Sequence, residues 1–264
     1  MAAVNASHTD WSDLAVAYAE SFAPMCAGTT DPLLDTLLPS YGGRRVLDVG
    51  SGLGTLGAAA RDRGATVTLA EPDAGMRAVA AAEHPHLPQH DTGLPHLGFE
   101  DDAFDAVVAN FVVNHVADPR AGVRELLRVT APGGRLGVTI WPNGPDSPGA
   151  LWPRVLEAAG VEPPAPRHLP PDKDFARTVD GLASLLLEAH DVEVWEHSWG
   201  WRVDPDALWS GPARGVSAFG QVLLTQEPAV RDELRRAYDT VTAPLRDGGL
   251  LVLPVRAVLA VATA

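Results

Sequence analysis

Apolar positions recur along the chain with two periods, one helical and one alternating. Asp10 can cap a first helix in which Leu14, Ala17, Tyr18 and Phe22 share one face, and Pro24 closes it. A second helix is predicted from about Asp31, with Pro32 at its first position and Leu33, Leu34, Leu37 and Leu38 behind. The period then changes. Arg45 to Gly50 is a short apolar strand, Thr55 to Asp62 an alanine-rich helix, and Thr66 to Glu71 a second strand. Pro72 to Glu83 is helical, with Met76, Val79 and Ala80 spaced for one face. Leu87 to Asp91 and Phe104 to Asn110 are strands; Ala121 to Val129 is a helix stopped at Pro132-Gly133-Gly134; Arg135 to Trp141 is a further strand.

After Trp141 the alternation loosens. Pro142 to Pro171 is an irregular stretch with a short helix near Leu151 to Ala159. Val179 to Ala189 is helical and Val192 to Val203 alternates as a long strand. Pro205 to Leu245 is helical with breaks at Gly211-Pro212 and Glu227-Pro228, and Leu251 to Thr263 closes as a strand. Strands alternating with helices predict βαβ units. The expected fold is α/β: a doubly wound sheet of seven strands, mainly parallel with the last strand antiparallel, under a helical cover. The chain divides into N-terminal helices (1–43), a core (44–141), a cover segment (142–191) and the late strands with inserted helices (192–264, the insert about 204–248).

Composition narrows the chemistry. The 264 residues, 46% of them apolar, suit one large α/β unit. Net charge is −14, Lys173 is the only lysine, and no basic run tracks a phosphate backbone. Nucleic acid and anionic membrane are therefore disfavoured, and a small-molecule substrate is expected. Cys26 is the sole cysteine, so no intrachain disulfide or cysteine-based metal site forms, which fits a cytoplasmic location. The apolar stretch Leu250 to Ala264 is broken by Pro254 and Arg256 and reads as a buried strand, not a membrane span. His84, His86, His90 and His96 match no helical ligand pair, so no metal is expected.

The candidate chemistry begins where the first strand meets Gly50-Ser51-Gly52-Leu53-Gly54. Glycines there let the backbone approach a ligand, and the following helix offers free N–H groups. The loop is compatible with two cofactors, because Gly52, Gly54 and Gly57 also fit the dinucleotide spacing. Glu71 ends the second strand roughly 20 residues on, where an acid accepts hydrogen bonds from both ribose hydroxyls. Both cofactors carry that ribose.

The later motifs separate them. Val46-Leu47-Asp48-Val49-Gly50-Ser51-Gly52-Leu53-Gly54, Leu69-Ala70-Glu71-Pro72-Asp73-Ala74-Gly75-Met76, His90-Asp91-Thr92-Gly93-Leu94-Pro95, Ala103 to Asn110 with His115 beyond, and Leu127 to Leu136 occur in order. Together they resemble the successive motifs of class I S-adenosylmethionine-dependent methyltransferases, over about residues 44–141. The small-molecule branch that includes ubiquinone and menaquinone methyltransferases is the most similar.

The resemblance implies a Rossmann-like core and S-adenosyl-L-methionine as cofactor. It implies cofactor contacts at Tyr18, Asp48, Gly50, Ser51, Gly52, Glu71, Pro72, Met76, Asp91, Thr92, Asn110, Phe111 and His115, with Asp91 taking the adenine amino group and the N-terminal helices folded over the cofactor. His115 is the candidate general base. Trp141, Asn114, Trp152 and Trp209 are candidate substrate residues, aromatic side chains in the cover serving equally well as its own core. Glu71 stands where the family more often has Asp, and Asn110 to Asn114 lacks the catalytic signature of amino-directed nucleic-acid methyltransferases. Three alternatives stay open: an NAD-dependent oxidoreductase, a cofactor-binding protein without transferase activity, and an enzyme that uses the sulfonium for something other than methylation.

Overall fold

In the computed structural model, which describes residues 14–144, 148–164 and 169–264, the apolar strand at Arg45–Val49 (β1) is buried at every position after Arg45. A strand covered on both faces requires that pattern. Parallel neighbours flank it: β2 (Thr66–Ala70) on one side and β4 (Phe104–Asn110) on the other. The full order is β3 (Gln89–His90), β2, β1, β4, β5 (Thr130–Ile140), β8 (Leu250–Thr263), β6 (His190–Val203). β8 runs antiparallel between β5 and β6, which is the expected reversal.

Alternation sorts the core. Val46 faces a cluster with Leu33, Leu34, Leu37 and Leu56, whereas Leu47 and Val49 face one with Val123, Leu126, Leu182 and Leu186. The first cluster seats α3 (Thr30–Leu37) and α4 (Thr55–Asp62); the second seats α6 (Pro119–Val129) and α8 (Val179–Ala183). A third cluster builds the cover from α7 (Leu151–Ala158), α9 (Pro205–Ala213), α10 (Ser217–Thr225) and α11 (Pro228–Thr242), around Trp152, Phe219 and Tyr238. The remaining helices are α1 (Ala15–Ser21) and α2 (Ala23–Cys26) at the start and α5 (Ala74–Glu83) after β2.

The structure departs from expectation at several points. An eighth strand, β7 (Arg246–Asp247), pairs with β8 across Gly248-Gly249; two residues are too few to show a period. Pro132-Gly133-Gly134 interrupts pairing within β5 without ending it: Gly133 takes φ 73°, and the register with β4 jumps between Phe104 and Ala106. The predicted helix to Ala189 stops at Ala183, and the strand over Leu87 to Asp91 shrinks to Gln89–His90. Pro32 is the third residue of its helix, and Pro24 opens a further helical turn after breaking the first. Asp10 lies outside the described residues.

The chain runs outward from β1 to β3, then crosses back to β4 on the other side of β1. That reversal leaves a crevice beyond the carboxyl ends of β1 and β4, the place where open α/β sheets bind ligands.

Candidate active site

β1 delivers its glycine loop directly into the crevice. Gly50, Gly52 and Gly54 have φ of 61°, 54° and 77°, a region closed to most side chains. A Cβ on Gly50 would lie 2.6 Å from Val112 Cγ2, so the loop is pressed against the segment following β4. A Cβ on Gly52 would meet nothing within 4 Å; the loop opens there.

Asp48 does not reach into that opening. It is 1% exposed, and its Oδ2 accepts from the Gly57 N–H at 2.9 Å, satisfying a free donor in the first turn of α4. Burial pushes its carboxyl up to about 7, opposed by the Gly57 bond and aided by the charge of Glu71. A raised native value means that the folded state binds the proton more tightly than the unfolded one. Below about pH 4 the residue costs nothing; between about pH 4 and 7 stability falls as pH rises, and above 7 the loss is complete. Asp48→Asn is expected to flatten the pH dependence of denaturant-induced unfolding across that window. An unchanged slope would contradict the assignment.

Glu71 locks two loops together. Its Oε2 accepts from the Gly52 N–H and its Oε1 from the Asp73 N–H, both at 2.9 Å. Burial raises its carboxyl above the usual range, and the two amides pull it back. Arg77, which sequence reasoning missed, ties this acid's strand to the next one: Nη1 donates to the Glu71 carbonyl at 2.7 Å and to Asp91 Oδ1 at 2.9 Å. The Asp91 side chain is largely exposed. Pro72 packs against the backbone of Gly93, and Thr92 Oγ1 bonds the carbonyls of His96 and Leu97, holding its own turn. The ends of β2 and β3 thus form one rim.

The N-terminal helices lie over this rim. Met76 is buried with Leu53 of the glycine loop and Ala15 of α1, and Tyr18 packs on that cluster. The Tyr18 hydroxyl donates to Cys26 Sγ at 3.3 Å; burial, with the Cys26 and Glu71 charges, raises its pKa well above the ordinary value.

At the end of β4, Asn110 Oδ1 accepts from Thr29 Oγ1 at 2.9 Å and from Thr139 Oγ1 at 2.6 Å. Phe111 follows with φ 60°, its N–H donating to Thr139 Oγ1 and its ring stacked on Trp141 at 3.6 Å. Trp199 extends the aromatic row, 6.2 Å from Trp141 and flat against the backbone of Gly28. Asn114 Nδ2 reaches the Trp141 carbonyl at 3.4 Å. His115 is exposed yet flanked by protein, and that desolvation and the Arg177 charge lower its pKa.

Two predicted substrate residues lie elsewhere. Trp152 is 6% exposed and stacks on Phe219 (4.6 Å) and Tyr238 (5.9 Å), inside the core of the cover. Trp209 packs on Phe219 and Tyr238 and lines a 310 Å³ surface cleft between α9, α10 and α11. A second cleft of 560 Å³, between Asp204 and Arg246, also belongs to the cover. No cluster of metal-ligating side chains occurs among the described residues.

Residues 47–138 match the family model described as a methyltransferase domain. Over this stretch the chain is similar to methyltransferase domains that use S-adenosylmethionine. Among curated proteins, the demethylmenaquinone methyltransferase of Clavibacter sepedonicus is 39% identical over 109 residues, which are 39% of this chain and 43% of that protein. That of Beutenbergia cavernae is 39% identical over 106 residues, 40% of this chain and 44% of that protein. The chain thus spans less than half the length of the curated relatives it matches. Among solved structures, a Haemonchus contortus phosphoethanolamine N-methyltransferase in complex with phosphomonomethylethanolamine and S-adenosylhomocysteine covers 97% of this chain and 58% of its own, with TM-score 0.59 and 17% identity. The YcgJ protein of Bacillus subtilis covers 89% of this chain and 97% of its own, with TM-score 0.56 and 18% identity. The [4+2]-cyclase SpnF covers 90% and 80%, with TM-score 0.51 and 22% identity. These likenesses concern the fold alone, and they extend it beyond the matched domain.

Ser51 Oγ and Asn114 Oδ1 are buried without a partner among the described residues, and both belong to the segments bordering the opening at Gly52. Acids thus end β2 and β3, glycines follow β1, and one unpartnered polar atom lies in the glycine loop and one after β4. No helix among the described residues is long and apolar enough to cross a membrane.

Proposed function

We propose that the chain transfers a methyl group from S-adenosylmethionine to a small, partly apolar organic acceptor, mainly by positioning. The observation that carries this reading is the Glu71 carboxylate, which spans the glycine loop and the β2–α5 turn within the stretch matched to a methyltransferase domain. The cofactor supplies an electrophilic methyl on a sulfonium, whose thioether leaves readily by in-line displacement, so the protein chiefly aligns the partners. Glu71 holds the ribose hydroxyls, Asp91 takes the adenine amino group, and Gly50 to Gly54 border the tail. Tyr18 and its helix close over the ligand and exclude water. Phe111 and Trp141, with Asn114, border the acceptor. Neutral His115 can take a proton from an acceptor that must lose one.

Isothermal calorimetry tests the reading. S-adenosylhomocysteine is expected to bind with micromolar or tighter affinity and NAD to release no heat. Affinity for NAD without affinity for S-adenosylhomocysteine would overturn it.

A further inference from the structure

We propose that helix α9 of the cover holds the N-terminal helix α1 against the cofactor rim, with Gly211 as the positioning residue of that contact; this rests on the cofactor reading above, in which α1 closes over the ligand.

Helix α1 cannot hold itself in place. It has seven residues, no side-chain hydrogen bond at its N-cap, no acid in its first turn and no base in its last. A helix that short is not stable alone in water, so the packing on its two sides decides where it lies. One side, with Ala15, Tyr18 and Ala19, rests on Leu53 of the glycine loop and Met76 of α5. The other carries Ala17 and Ser21, both buried, and meets the cover.

Gly211 admits that second contact. It lies inside α9 and does not take a positive φ, so the backbone conformation there does not call for glycine. Space does. A Cβ at this position would overlap Ser21 Oγ and stand 2.7 Å from Ser21 Cβ. Turning the hydroxyl away would break its 2.6 Å bond to the Ala17 carbonyl and leave the Cβ overlap unrelieved. Two further points align the helices. Arg214, at the end of α9, donates to the Glu20 carboxylate, and Leu14 Cδ2 lies 3.7 Å from where a Cβ on Gly215 would stand. The ion pair is exposed and contributes little. The close approach at Gly211 is the contact that fixes the spacing.

Both helices lie outside residues 47–138, the stretch matched to a methyltransferase domain. The rim, α1 and α9 form one contiguous packed series, and a ligand that pins α1 from below pins α9 through it. The cover thus sets how firmly α1 presses on a site built by the core.

The test joins calorimetry to hydrogen exchange, both with S-adenosylhomocysteine and the full chain. Gly211→Ala should push α1 off α9 and weaken the ligand about tenfold, an ordinary coupling between sites. Adding Ser21→Gly removes both atoms that the new methyl meets and should bring affinity back to within about threefold of wild type. In the wild-type protein, saturating ligand should slow amide exchange in α9 as well as in α1 and the glycine loop; in Gly211→Ala it should slow the glycine loop alone. A folded Gly211→Ala protein with wild-type affinity would overturn the proposal, as would a loss that Ser21→Gly does not rescue. So would a wild-type α9 whose exchange ignores the ligand while that of α1 responds, a result that stands even if Gly211→Ala does not fold. A wild-type protein that does not bind S-adenosylhomocysteine would instead sink the cofactor reading, and this proposal with it.

Discussion

Replacing Glu71 with alanine is expected to weaken S-adenosylhomocysteine binding at least hundredfold, measured by calorimetry on folded protein. The argument has two parts. A hydrogen bond to a charged group contributes about 1.5–3 kcal/mol, and the ribose presents two hydroxyls to one carboxylate, so the direct loss is about 3 kcal/mol or more. Each 1.4 kcal/mol is about tenfold in affinity. The side chain also receives the Gly52 and Asp73 amides, so its removal frees the opening of the glycine loop and the start of α5 together. Glu71→Gln should recover little, because an amide cannot accept at both of its atoms and must turn N–H groups toward N–H groups on one side. Retention of wild-type affinity by Glu71→Ala would remove the acid from the site.

Trp152→Ala is expected to destabilise the protein by about 3–5 kcal/mol in urea denaturation, the range for deleting a large buried aromatic. The ring is sandwiched in a stack with Phe219 and Tyr238 and meets Phe22 edge-on at 6.3 Å. No neighbouring element can collapse into the space without breaking those contacts. Affinity for S-adenosylhomocysteine, measured on the folded fraction, should stay within about threefold of wild type. The opposite pattern, intact stability with impaired turnover of an acceptor, would return Trp152 to the substrate site.

The difference between these two residues shows what local pattern reveals. Glu71 stood out in the sequence by its position along the chain, an acid at the end of the second strand after a glycine loop, and the structure sets it on the Gly52 and Asp73 amides. The parallel core was legible because β1, β2 and β4 are short apolar runs alternating with helices, whereas no period along the chain sets the direction of the last strand. Trp152 and Trp209 were not. An aromatic residue in a cover faces either the ligand or its own neighbours, and the choice is made by Phe219 and Tyr238, which lie on other helices. Arg77 was hidden because a lone arginine on a helix gives no signal of the acid it will meet on the next strand. Thr29 and Thr139 were hidden because their partner is Asn110, reached only after the sheet has formed. The eighth strand and the bulge at Gly133 arise from pairing geometry, which a period of two cannot show.

At the exposed end of the rim Arg77 partly neutralises Asp91.

A crystal structure with S-adenosylhomocysteine bound examines the whole arrangement at once. The two ribose hydroxyls should lie within hydrogen-bonding distance of the Glu71 carboxylate, with the sulfur between the glycine loop and the Phe111–Trp141 stack. Density for the ligand elsewhere, or a ribose turned away from Glu71, would contradict the account.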